Sequence, residues 1–176
     1  MSSNCAAFDE DGDHPEAIKC MMHFFYHAEY TLRKSQSQEM YLVIHSFVYA
    51  IADKYDIPTL KDEAIHRFKT TFEQYPFWHD RDDRELLAFV RAIAIAYASV
   101  PASDKRLKTV IAELIIERIE LIERPQIVHL LQTIPDFFPD LLLSTFNEGF
   151  RAVYQDCERD SSLPGVRSQW AGSLGV

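Results

Sequence analysis

The chain has 176 residues, a formal net charge of −9, 47% hydrophobic residues and only five glycines. The apolar share excludes a disordered chain and fits one domain, or one domain with an extension. The acidic balance argues against nucleic acid, which needs Lys and Arg clustered on one face; the basic steps Arg33-Lys34 and Lys105-Arg106-Leu107-Lys108 are short and read as solvated surface.

The first stretch, 1–12, is small, polar and acidic and reads as a flexible lead-in. Asp9-Glu10-Asp11-Gly12-Asp13 looks superficially like a calcium loop. Its glycine comes one carboxylate too early, and Cys20 stands where the closing Glu belongs. A helix is expected next. Asp13 or His14 caps it, Pro15 fits its first position and Glu16 faces the positive end of its dipole. Ile18, Met21, Met22 and Phe25 form the expected buried stripe, and the helix ends near His27-Ala28. Residues 33–39 have no apolar member and read as a solvated connection.

Tyr41, Ile44, Val48, Ile51 and Tyr55 recur at spacings of three and four, widened by Val43, Phe47 and Ala50. That predicts a helix buried on two sides. Pro58 suits a helix start, because its missing N–H has no partner there anyway, so a further helix is expected from Pro58 to Gln74. Its core candidates are Leu60, Ala64, Ile65, Phe68 and Phe72. Thus 47–60 reads as a tight joint between two helices.

Tyr75-Pro76-Phe77-Trp78-His79 follows, either as a plug between packed helices or as an exposed anchor. Asp80–Arg84 reads as a charged loop and helix start. A helix from Arg84 to Ala98 carries Leu86, Val90, Ile93 and Tyr97 on one stripe. The next, from Asp104 to Arg124, has Ser103 as its cap and Pro125 as its stop or the start of its successor. Two shorter helices are expected over Ile127–Ile134 and Pro135–Phe146, the latter with Phe138, Leu141, Leu142 and Phe146 as core. From Asn147 onward periodicity fades, which predicts a flexible tail containing Trp170, with Phe150–Tyr154 as an extension of the last helix. The expected fold is all-α, built of antiparallel helical hairpins.

One run resembles a known family. Asp13-His14-Pro15-Glu16-Ala17, then Phe24-Phe25-Tyr26, then Val48-Tyr49-Ala50-Ile51-Ala52-Asp53-Lys54-Tyr55-Asp56-Ile57-Pro58 look like the second half of a BTB/POZ domain of the type common in fungal proteins. Val100–Leu107 resembles a Pro-x-Ser-Asp run that often follows in those chains. The resemblance spans about 13–115 and is most specific at 47–60. It implies a partial BTB/POZ-like region over 13–75, a helical extension over 76–150 and a tail over 151–176. A complete domain begins with strands and two helices, for which 1–12 supplies no counterpart, so the expectation is a truncated domain. The dimerising segment and the motif that engages cullins fall in that part, so no family-type homodimer is expected. The resemblance implies protein partners, a cullin-type ubiquitin-ligase scaffold among them.

Candidate chemistry is sparse. Cys20, His23 and His27 stand at i, i+3 and i+7 and would need a fourth ligand from elsewhere to hold zinc. The competing reading makes Cys20 a core residue, His23 surface and His27 a partner of the negative helix end. No Gly-x-Ser-x-Gly elbow and no phosphate-cradling glycine loop occurs. The expected function is a non-enzymatic protein–protein interaction module, without cofactor or metal. The alternatives are a metal-binding protein using Cys20, His23 and His27, or a truncated product without independent function. The partner-binding candidates are Met21, Phe25, Tyr41, Phe47, Trp78 and Trp170. Three scattered cysteines, no charged-then-apolar leader and no apolar run of about 18 residues predict an intracellular protein, cytoplasmic or nuclear, without a membrane span.

Overall fold

The computed structural model describes residues 13–32, 40–74 and 84–146. The expectations placed on 1–12, 33–39, the aromatic run with Trp78, the charges at 80–83 and the tail with Trp170 lie outside them. Among the described residues the chain forms helices and no strands, as the sequence periodicity predicts. The α-helices are α1 (Pro15–His27), α2 (Tyr41–Lys54), α3 (Pro58–Gln74), α4 (Arg84–Ser99), α5 (Arg106–Glu117), α6 (Pro125–Thr133) and α7 (137–146), with a 3₁₀ turn at Ile119–Leu121 before α6.

α2 is the centre. It packs against α1, α3 and α4, and Leu42, Val43, Ile44, Val48, Tyr49, Ile51 and Ala52 are all buried. Burying each larger aliphatic side chain there contributes roughly 1.5–3 kcal/mol. His45 and Ser46 are buried with them. The joint to α3 closes locally. The Ile57 N–H bonds back to the Ala52 carbonyl at 2.9 Å, and the Asp56 N–H to the Asp53 carbonyl at 3.1 Å. Asp56 takes the left-handed conformation (φ 51°) that this helix ending requires, and Pro58 then opens α3. α3 buries Leu60, Ala64, Phe68 and Phe72, and Phe68 and Phe72 meet Phe89 of α4. One hydrophobic core runs from Ala17 to Leu141.

Three elements differ from the sequence reading. The buried face of α1 is Ala17 and Cys20, with Met21 and Phe24 half-buried, whereas Ile18, Met22 and Phe25 are exposed. Small side chains at the contact let α1 approach α2 closely, which larger ones would prevent. α5 ends at Glu117 instead of Arg124, because Arg118 leaves the helical region (φ −127°, ψ 62°) and the 3₁₀ turn that follows buries Leu121. At its start Asp104, rather than Ser103, takes the capping role, its Oδ1 accepting the Arg106 N–H at 3.0 Å. In α7 the buried set is Phe137, Asp140, Leu141 and Ser144, while Phe138, Leu142 and Phe146 are exposed. Asp140 fixes that rotation. It accepts from Tyr97 Oη at 3.0 Å and pairs with Lys105 Nζ at 2.9 Å, so the carboxylate turns inward; Leu141 is buried as predicted, and the rest of the predicted stripe turns out.

Candidate functional site

The charged residues of the helical joint are spent on holding helices together. Lys61 of α3 bridges Asp53 and Asp104, each at 2.5 Å, and lies over the Tyr49 ring at 5.2 Å. Tyr49 donates to Asp104 Oδ2 at 2.7 Å, and Arg106 pairs with Asp62. Burial alone would raise the Asp104 carboxyl, but the bonds from Lys61, Tyr49 and the Arg106 N–H outweigh it and hold it at about 2. Lys54 and Tyr55 both reach Asp13, at 2.8 and 3.0 Å. Residues 47–60 and 100–107 therefore meet through the Asp104 carboxylate, to which Tyr49 donates.

Two further polar groups sit deep in the fold. The Lys108 ammonium is buried and donates to the carbonyls of Val100 and Pro101, both at 3.1 Å, closing the end of α4. His45 has both ring nitrogens engaged, Nδ1 with Tyr30 Oη at 2.7 Å and Nε2 with Thr71 Oγ1 at 3.2 Å. Burial, aided by the Arg67 charge, lowers this imidazole to about 3, so it is neutral in the fold. All three residues of this relay are buried, and Arg67 covers the Tyr30 ring at 4.8 Å. The relay ties the segment after α1 to α2 and α3, and His45 and Thr71 also line a cleft with Glu63, His66 and Arg67. Sequence reading passed over it, because a lone His inside an apolar stripe carries no spacing signal.

The Cys20, His23 and His27 set does not converge. Cys20 faces the core, where burial pushes its thiol up to about 12. His23 Nδ1 bonds the Glu29 carbonyl at 2.8 Å, and His27 Nδ1 bonds the His23 carbonyl at 3.1 Å. Among the described residues no three His, Cys, Asp or Glu side chains form a metal-binding group.

The surface carries exposed apolar side chains. Ile18, Met22, Phe25 and Tyr26 form an outward apolar stripe on α1, with Phe25 58% and Tyr26 78% exposed. Phe24, Phe25 and Tyr26 continue into a groove against α3, lined across by Thr59, Asp62 and His66. The structure places the predicted partner residues unevenly. Phe25 lies on this stripe; Met21, Tyr41 and Phe47 are half-buried, Met21 and Phe47 packed on the core and Phe47 also stacked on His14 at 4.4 Å. Ile18, Met22 and Tyr26 were not among the predicted contact residues. The signal for them was the excess of apolar residues in Pro15–His27, more than one packing face uses. A second outward apolar stripe, Phe138, Leu142, Leu143 and Phe146, lies on α7. No helix among the described residues is long and apolar enough to cross a membrane. The chain matches no protein-family model, and searches of curated proteins and of solved structures return no match.

Proposed function

We propose that the chain is a non-enzymatic protein–protein interaction module, a BTB/POZ-like adaptor or scaffold element whose contact surface is the outer face of α1. The observation that carries this reading is the exposed stripe of Ile18, Met22, Phe25 and Tyr26. A helix face with that much apolar area in water gains free energy when a partner covers it. Aromatic and Met side chains are the types that dominate such contacts. The reading is also supported by the use made of the partly buried Lys61 and Asp104 and the buried His45 and Lys108, all of which brace helices. The BTB/POZ element of the proposal rests on the residues of 47–60, whose Asp53 and Pro58 have clear roles in the joint between α2 and α3, while Tyr55 bonds Asp13 ahead of α1.

A photo-crosslinking side chain at Met22 tests the surface. The expected result in cells is a discrete protein adduct that disappears in the Phe25→Asp variant and persists in Leu142→Asp. Absence of any adduct, or an adduct indifferent to Phe25→Asp, refutes the surface. Co-purification with a cullin-type scaffold tests the adaptor form separately.

A further inference from the structure

The geometry points to a two-imidazole binding site for a late first-row divalent cation, Zn²⁺ or Ni²⁺ in kind, formed by His23 and His27 at the C-terminal end of α1. This site does not rest on the apolar stripe proposed as the partner surface, although His27 lines the same groove as Phe25 and Tyr26. The two residues stand one helical turn apart, and their rings face each other with centroids 4.1 Å apart and planes 20° from parallel. Each Nδ1 lies on a backbone carbonyl, at 2.8 Å for His23 and 3.1 Å for His27. A carbonyl oxygen has no proton to give, so both bonds require a proton on Nδ1. In a neutral imidazole that is the ring's single N–H proton, and Nε2 is left with a bare lone pair on both residues. Metal-bound histidines are held in the same way, the non-ligating N–H fixed by a carbonyl or carboxylate behind the ring.

Cys20 is excluded from the site because its sulfur is on the core side of the helix. Two nitrogen donors and no converging carboxylate select for Zn²⁺ or Ni²⁺ over Mg²⁺ or Ca²⁺. Water completes the coordination, and His66 lines the groove that His27 enters. A zinc–nitrogen bond of about 2.0–2.1 Å requires the near-parallel rings to swing about their side-chain torsions until the bare nitrogens point at one ion. The bound ion then clamps the last turn of α1, immediately before Ala28, which sits in the left-handed conformation at φ 57°. By mass action the cation stabilises the folded chain as its concentration rises.

Calorimetric titration of the whole chain with Zn²⁺, paired with Ni²⁺ broadening of the imidazole proton resonances, tests the site. The expected result is binding of a single Zn²⁺ that weakens at least about tenfold in His23→Ala and in His27→Ala. His129→Ala leaves it unchanged, Mg²⁺ does not compete, and Ni²⁺ broadens both ring signals together. His23→Ala also frees the Glu29 carbonyl, so His27→Ala, with its fold checked by circular dichroism, is the decisive variant. A chain that takes up no Zn²⁺, or one whose Zn²⁺ affinity is the same in a folded His27→Ala variant, overturns the inference.

Discussion

Neither nitrogen of His45 is left for water, and that makes it a side chain through which acid acts on the fold. Its folded value of about 3 lies below the ordinary 6.5, so the unfolded chain binds a proton that the folded chain rejects. The stabilisation from neutral His45 is complete above about pH 6.5 and drains away as pH falls toward 3. Urea unfolding should lose roughly 2–3 kcal/mol between about pH 7 and 4.5, and a His45→Gln variant should lose most of that slope. A level stability curve for the unmodified chain over that interval refutes the assignment. Asp104 acts in a lower window. Its carboxyl is held at about 2 instead of 3.8, so its contribution is present above about 3.8 and disappears below, which separates the two groups experimentally. Neither role was legible in the chain. His45 sits between Ile44 and Ser46 with no partner in sequence, and its bonds come from residues 15 and 26 positions away.

At the scale of elements, boundaries were easier to read than rotations. Pro15, Pro58 and Pro125 each open a helix, because a missing N–H costs nothing in a first turn, and the sequence predicted all three as possible starts. α3 opens at Pro58, where the sequence put it, and is helical through Gln74, where this stretch of described residues ends. The turn of a helix about its own axis is decided by its neighbours. On α1 two small residues take the inner face, and on α7 the Asp140 carboxylate shares it with Phe137 and Leu141. Periodicity counts apolar residues and cannot weigh an Asp140 that two distant donors draw inward. The link between α2, α3 and α5 has the same non-local character. Asp104→Ala removes an acceptor from Tyr49, Lys61 and the Arg106 N–H together and is expected to cost roughly 2–4 kcal/mol in chemical unfolding. Tyr49→Phe, which takes away one of those bonds, should cost about 1 kcal/mol. A loss below about 0.5 kcal/mol for Asp104→Ala would place the cluster among inconsequential surface pairs.

Among the described residues most apolar side chains fall into a continuous core and two outward faces. The core was largely legible, since most of its members lie on stripes that recur at three and four. Of the outward faces only Phe25 was legible as a contact residue, because sequence spacing assigns apolar residues to the interior by default. Substitution separates the two classes. Met22→Ser and Phe25→Ser on α1, and Phe146→Ser on α7, should change unfolding free energy by no more than about 0.5 kcal/mol. Phe68→Ala, in the core, should cost about 3–5 kcal/mol. If Phe25→Ser destabilises the chain as Phe68→Ala does, α1 is a core element and its outer face is no recognition surface.

The enclosure of α2 has a consequence during synthesis. α2 is finished at Lys54, yet α4, one of the helices that shelters it, is not finished until Ser99. At ribosomal speeds of about 5–20 residues per second the gap lasts roughly 2–9 s, while Leu42, Ile44, Val48 and Ile51 have only part of their cover. Nascent chains arrested between these two points should therefore recruit holding chaperones strongly, and chains arrested well beyond Ser99 should release them.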